Sequence, residues 1–349
     1  KVYCNKWDGR NRNSFTYRVT LENGTIGGAT RRFTEKEFIE KIKTDDEFAK
    51  KWGDLGRIYG AQWRNWTALD RSEIKLNTYG IDQISNMLDK LKNNPDDRRN
   101  IVSAWNVAEI DQCVLPPCHY AFQVWTRELS SYERENYYAY EMIGMTEEER
   151  HELHPNHSEE DVHEKMDELN VPKRAISLQW NQRSCDFPLG IPFNIASYGL
   201  LLMILGKLSN MVPDELIGSL ADCHIYLNQI NGVKEQIGNG ISLRDRYKWC
   251  TEQEGYNPDD FIPFAEHLEN GKIGMEAYMG MVKVFEKYGS PDHTRIPYEL
   301  PSVVINTESW GSSDVLGDNW GDIIENIQLA DFSLHNYASH PPIKYPLSN

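Results

Sequence analysis

A cysteine followed by a histidine, Cys118-His119, closes the run Leu115-Pro116-Pro117. Further on come Gln182-Arg183-Ser184-Cys185-Asp186, then Pro192-Phe193-Asn194, then Asp222-Cys223-His224-Ile225-Tyr226. A lone Cys-His says little, because free cysteine is usually a small core residue. Its company says more: Arg183, Asp186, Asn194 and His224 are all expensive to bury unpaired. A guanidinium beside a thiol favours the thiolate, which is the nucleophile. Spacing alone leaves a cysteine hydrolase and a transferase both open. His151, His154, His157 and His163 suggest metal ligation instead, but Pro155 breaks any helical face they could share. We read them as part of a solvated surface.

The chain around these residues has the means to position them. It has 349 residues, 40% hydrophobic and 26% charged, which is enough for a real core. Its 37 basic and 53 acidic residues give a net charge of −16. No basic field draws in duplex nucleic acid, although a few arginines can hold one phosphate. No uninterrupted apolar run reaches the roughly 18 residues of a membrane span. Cys4, Cys113, Cys118, Cys185, Cys223 and Cys250 show neither CxxC nor zinc spacing. Glycosylation triplets occur at Asn23, Asn65 and Asn156, without a visible leader. The expectation is a reduced, cytoplasmic protein with no metal.

Periodicity predicts the elements. A strand is expected at Phe15–Leu21. Thr34, with Glu37 three residues on, would cap a helix carrying Phe38, Ile39, Ile42 and Phe48. A second helix is predicted over Gly80–Asn94, with Ile81, Ile84, Met87, Leu88 and Leu91 on one face. Strands are expected at Ile101–Val107, Cys118–Thr126, Ala175–Gln182 and Leu216–Asn228, and a helix near Gln229–Ile237. Pro192–Leu208 is apolar nearly all round and reads as a central buried helix rather than a membrane segment. Residues 127–174 hold 14 acidic and 6 basic residues, half the net charge of the chain. They read as a helical surface insertion.

Long words in collinear order then identify a family. They are Gly53-Asp54-Leu55-Gly56, Tyr59-Gly60-Ala61-Gln62-Trp63-Arg64, Asp82-Gln83-Ile84, Asp97-Arg98-Arg99 and Ser103-Ala104-Trp105-Asn106. Pro117-Cys118-His119, Gln182 to Asp186, Leu189-Gly190, Pro192 to Tyr198 and His224-Ile225-Tyr226 follow. Asp331-Phe332, Tyr337 and His340-Pro341 close the series. The chain resembles the thymidylate synthases and their hydroxymethylase relatives over most of its length outside 127–174. The resemblance implies an α+β fold: a large mixed β-sheet with helices packed on one face, pairing sheet to sheet as a homodimer. It implies one catalytic domain over 1–349, with 127–174 inserted in it. The substrates would be dUMP and 5,10-methylenetetrahydrofolate.

The resemblance also implies roles. Cys118 would attack C6 of the pyrimidine and make C5 nucleophilic. Tyr59 would help remove the C5 proton. Arg183 would bind the phosphate and favour the Cys118 thiolate. Ser184 would also hold phosphate, and Gln182 would line the substrate site. Arg98 and Arg99 would reach the phosphate in the partner subunit. His224 and Tyr226 would bind the 3′-hydroxyl. Asp186, Trp63 and Tyr337 would face the folate. Asn194 has a physical reading as well. One carboxamide both donates and accepts, matching O4 and N3–H of uracil; cytosine reverses the pattern. That favours dUMP over dCMP.

Some family features have no clean match. Glu40 is the nearest candidate for the water-organising glutamate, but no Leu-Leu-Trp follows it. Asp45–Phe48 lies where an aromatic shield is expected, and Trp52 could replace it only on a different backbone path. Arg10 and Arg12 are the candidates for the phosphate-loop arginine. The chain ends Tyr345-Pro346-Leu347-Ser348-Asn349, more polar than the family's apolar tail. Such a site would admit water, and water quenching gives a hydroxymethyl product. The expectation is therefore a phage-type dUMP hydroxymethylase. The alternatives are a thymidylate synthase making dTMP and dihydrofolate, and a catalytically silent binding protein.

Overall fold

The computed structural model describes residues 19–20, 26–27, 35–70, 77–146, 158–237, 252, 298–310 and 319–346. They fall into two compact units. The first takes in residues up to Cys185, then Phe193–Cys223 and Thr307–Ile327; the second takes in Asp186–Pro192, His224–Asn306 and Gln328–Asn349.

In the first unit, a short pairing of β1 (Val19–Thr20) with β2 (Ile26–Gly27) precedes α1 (Glu35–Thr44) and α2 (Asp46–Trp52). The predicted first helix is split. Asp45 accepts from the Phe48 amide at 2.9 Å and caps a new helix, so Phe48 belongs to α2. Next come α3 (Gly60–Arg64), β3 (Trp66–Asp70) and β4 (Asn77–Ile81), the last two antiparallel. The predicted helix over Gly80–Asn94 starts later, as α4 (Gln83–Asn93), because Asp82 caps it through the Ser85 amide. Gly80 and Ile81 instead complete β4. Ile84, Met87, Leu88 and Leu91 form the buried face of α4 as the periodicity required.

Among the described residues, the main sheet has four strands in the order β5 (Ile101–Ser103), β6 (His119–Glu128), β7 (Arg174–Gln182), β9 (Val212–Leu220). The first three are antiparallel, while β7 and β9 are parallel. β5 is shorter than predicted, since Ser103 turns its amide to Gln83 Oε1. Between β6 and β7 lie α5 (Ser131–Asn136), a π-helix (Tyr137–Met142) and α6 (Glu159–Glu168). This segment is more than a solvated surface. Arg134, 2% exposed, donates to the Val171 and Pro172 carbonyls, His163 and Asp167, tying its two ends together. His151, His154 and His157 lie outside the described residues.

After β8 (Cys185–Asp186) comes α7 (Gly190–Ser209), the crossover that parallel β7 and β9 require. It is long and apolar enough to cross a membrane, yet it seats Tyr198 flat on Trp180 of β7, centroids 5.4 Å apart. It is a sheet-covering helix with one buried face, not the wholly buried helix expected. Ile191, Tyr198, Leu202 and Leu205 point in, while Phe193 and Ile195 are exposed. Asn210, at φ 50°, takes the left-handed turn that ends it. β9 then begins four residues before the predicted strand, its start masked in sequence by Pro213-Asp214-Glu215. Close to the end of the first unit, α9 (Trp320–Asn326) hangs Trp320 on Asp89 of α4 at 2.6 Å.

The chain leaves β10 (Cys223–His224) for the second unit. That unit holds α8 (Ile230–Ile237) and the antiparallel pair β11 (Ser302–Ile305) and β12 (Phe332–His335). The helix predicted near Gln229–Ile237 is therefore present.

Candidate active site

Antiparallel register brings the first chemistry together. His119 opens β6 opposite Gln182, the last residue of β7, and the Arg183 amide donates to the Cys118 carbonyl at 2.9 Å. A bulge between His119 and Ala121 breaks the register beside Cys118. Bulges re-aim side chains at such places.

Tyr59 joins them from a distant segment. Its loop is anchored by Glu109, which accepts from Arg57, Gln62 and Thr67. Tyr59 sits at φ 41°, a conformation costly for a residue with a Cβ and typical of functional sites. Its hydroxyl accepts from the Cys118 amide at 2.9 Å, and its ring stacks on His119 at 4.2 Å. His119 Nδ1 shares a hydrogen bond with the Tyr198 hydroxyl at 2.8 Å. Burial pushes Tyr59 above its usual range and His119 down to about 4, so the imidazole is neutral at physiological pH.

Arg183 is fixed on three sides. Nε and Nη2 donate to the Pro117 and Pro116 carbonyls, each at 3.0 Å, and the guanidinium lies over the Trp105 ring at 5.7 Å. Nη1 remains for an anion. Gln182, buried, accepts from the Trp180 indole and donates to the Ser184 carbonyl and to Asn194 Oδ1 at 3.2 Å. Asn194 is therefore held by its carbonyl oxygen, with an amide donor and a second lone pair left for a ligand. Cys118 is half-buried, whereas Cys185 is buried and its thiol is pushed up to about 11, chiefly by burial. Among the described cysteines of this strand end, Cys118 is the accessible one near Tyr59.

Of the other predicted residues of this unit, Trp63 adjoins that cluster, its amide donating to the Tyr59 carbonyl at 2.9 Å. Arg98 and Arg99 are exposed on the turn after α4, and Arg99 pairs with Asp97 at 2.9 Å. Glu40 is exposed on α1, where its carbonyl accepts from Thr44. Trp52 ends α2 beside Phe48, ring centroids 6.2 Å apart. Trp63 packs edge-on against Phe122, with its indole N–H buried and unpartnered. Arg10 and Arg12 lie outside the described residues.

In the second unit, Asp186 Oδ2 accepts from Gln229 Nε2 at 3.1 Å, while Oδ1 is buried without a partner. An orphaned carboxylate oxygen fits a ligand presenting N–H donors, as a reduced pterin does. Gln229 is fully buried and also donates to the Pro346 carbonyl at 3.4 Å. Tyr345 donates to Gln236 at 2.6 Å, its ring close to Gly232, where a Cβ would stand 2.7 Å from it. His224 and Tyr226 pack edge to face at 4.8 Å. Tyr337 is largely exposed. Among the described residues, no group of three His, Cys, Asp or Glu side chains could hold a metal.

Reading the sequence alone assigned no role to His119, Trp105, Tyr198, Glu109 or Gln229. All but Glu109 and Gln229 lie inside the quoted words, so the signal was present without a mechanism attached. Glu109 and Gln229 gave no local signal for these contacts, because Gln62 and Asp186, which they meet, lie 47 and 43 residues away.

The family model described as thymidylate synthase matches residues 31–261, about two thirds of the chain. The chain is 36% identical over 205 residues to the thymidylate synthase of Mesoplasma florum, covering 58% of this chain and 51% of that protein. It is 36% identical over 201 residues to the thymidylate synthase of Malacoplasma penetrans, covering 58% and 50%. The chain spans about half the length of the curated relatives it matches.

Proposed function

Because the chain belongs to the thymidylate synthase family, we propose that it transfers a one-carbon unit from 5,10-methylenetetrahydrofolate to C5 of dUMP through a Cys118 adduct, yielding dTMP and dihydrofolate. The observation that carries this reading is the junction of an accessible Cys118 with Tyr59, whose hydroxyl sits 2.9 Å from the Cys118 amide. Cys118 Sγ adds to C6, opens the C5=C6 bond and leaves C5 as the carbon nucleophile. The folate supplies the methylene carbon and then the hydride. Tyr59 takes up the C5 proton, directly or through water, so that the amine departs and leaves a methylene on C5. Hydride transfer and departure of the Cys118 thiolate complete the methyl group.

Arg183 presents Nη1 to the nucleotide phosphate with Ser184. Asn194, oriented by Gln182, matches O4 and N3–H of uracil. His224 and Tyr226 take the 3′-hydroxyl. Asp186 Oδ1 accepts from the pterin, with Trp63 and Tyr337 as further folate contacts. Exposed Arg98 and Arg99 act in the partner's site, which makes the working unit a homodimer.

The methyl product displaces the hydroxymethyl product favoured by the sequence departures. Both relatives are named thymidylate synthase. The tail, although polar, is anchored on Gln229 and Gln236, which supports shielding of Asp186 from water. Product analysis tests the choice. The protein is incubated with dUMP and methylenetetrahydrofolate, absorbance is followed at the dihydrofolate band, and the nucleotide is weighed. dTMP with stoichiometric dihydrofolate is expected. Hydroxymethyl-dUMP without dihydrofolate would restore the water-quenched reading. No covalent complex with 5-fluoro-dUMP and folate would leave only the silent binding protein.

A further inference from the structure

A cavity of about 310 Å³ opens where the insertion meets the main sheet, away from Cys118 along β6 and β7. Its floor is apolar: Leu129, Ala175, Val212 and Pro213. Its wall is a single helical face, because Glu133, Asn136, Tyr137, Tyr140 and Glu141 recur at three- and four-residue spacing through α5 and the π-helix. The π-helix closes i→i+5 bonds, such as the Ile143 amide to the Tyr138 carbonyl at 3.1 Å. Such turns are rare and concentrate at functional sites.

The charges at this wall are unevenly satisfied. Arg127, the only cationic lining residue among the described residues, is spent on Glu133 and Asp214, each at 2.9 Å. Glu133 and Asp214 are neutralised by the same contacts. Glu141 is left without an ion pair among the described residues, and Asn136 Oδ1 is buried without a hydrogen-bond partner. Both unmet groups are acceptors, and one is an anion. A ligand completing them must bring N–H donors and a positive charge on an apolar or aromatic body that suits the two tyrosines.

We propose that this cavity is a second binding site, for a small organic cation of the amine or guanidine class, with Glu141 and Asn136 Oδ1 holding its charged end and Tyr137 and Tyr140 its body. The site is separate from the nucleotide chemistry and does not depend on which product that chemistry yields.

Calorimetric titration of the full chain tests it with three probes: 2-phenylethylamine, agmatine and the uncharged 2-phenylethanol. At least one of the two cations is expected to bind, with the alcohol weaker by ten-fold or more. Glu141→Gln, a change on an exposed side chain, should weaken the cation five-fold or more and leave dUMP turnover unchanged. Asn136→Leu should do the same if circular dichroism shows it folded. Equal binding of amine and alcohol would overturn the cation assignment. So would unchanged affinity in Glu141→Gln, or no heat from either cation at about 1 mM. A basic peptide that binds where both small cations fail would also overturn it, in favour of a protein-docking surface.

Discussion

At Cys118 the chemistry and the geometry make separate demands. Cys118→Ser should abolish turnover and the 5-fluoro-dUMP adduct while dUMP still binds; an adduct in the serine variant, read by mass spectrometry, would remove Cys118 from the mechanism. Tyr59→Phe keeps the His119 stack and loses the oxygen, so kcat should fall roughly 10²–10⁴-fold with little change in dUMP affinity. His119 has a pH signature. It is near 4 in the folded chain and 6.5 when unfolded, so the unfolded state binds more protons between those values. Its contribution is fully present above pH 6.5 and is lost as pH falls to about 4, at most about 3 kcal/mol. Urea denaturation across that window should show the slope, and His119→Gln should flatten it. Most of these residues were legible because they sit in long words. Their partners were not, since a hydrogen bond from Gln229 to Asp186 joins residues 43 apart, and the periodicity of the helix and strand between them does not say that the two meet.

Among the elements, caps and pairings decided what periodicity could not. The apolar face of α4 was readable, but its start depended on Asp82 reaching the Ser85 amide. Likewise the start of β9 depended on where Asn210 ended α7, in a stretch whose Pro-Asp-Glu has low strand preference. The acidic charge of 127–174 was legible, and its core was not. Arg134 is that core: its guanidinium meets carbonyls from Val171 and Pro172 and the Asp167 carboxylate at 2.7 Å. Arg134→Ala should strand those acceptors and cost about 3 kcal/mol. Limited proteolysis should then cut within 127–174 before any site on the main sheet; equal protection would mean the insertion holds without it. On the sheet, Cys185 should resist iodoacetamide in the native protein while Cys118 and the exposed Cys223 react.

For the whole molecule, a net charge of −16 would leave the proposed phosphate binding to local arginines, and two arginines, Arg98 and Arg99, are exposed. If they serve the partner's site, a Cys118→Ser chain and an Arg98→Glu/Arg99→Glu chain are each inactive alone. Mixed and re-equilibrated, they should recover about a quarter of normal turnover, from the one intact site in each mixed dimer. No recovery, with mixed dimers seen by native mass spectrometry, would place the arginines elsewhere. The β6–β7 hairpin carries a last consequence. Its two strands are joined from Glu128 to Arg174 by the long acidic connection, and they carry Cys118 and Arg183 just beyond the opposite ends, roughly 30 Å away. Closing so long a loop delays the first pairing, and zippering then runs from that connection toward Cys118. During refolding, amide protection should therefore appear at Arg127 and Ala175 before it appears at Ala121 and Gln182, so that the Cys118 thiol acquires its neighbours last.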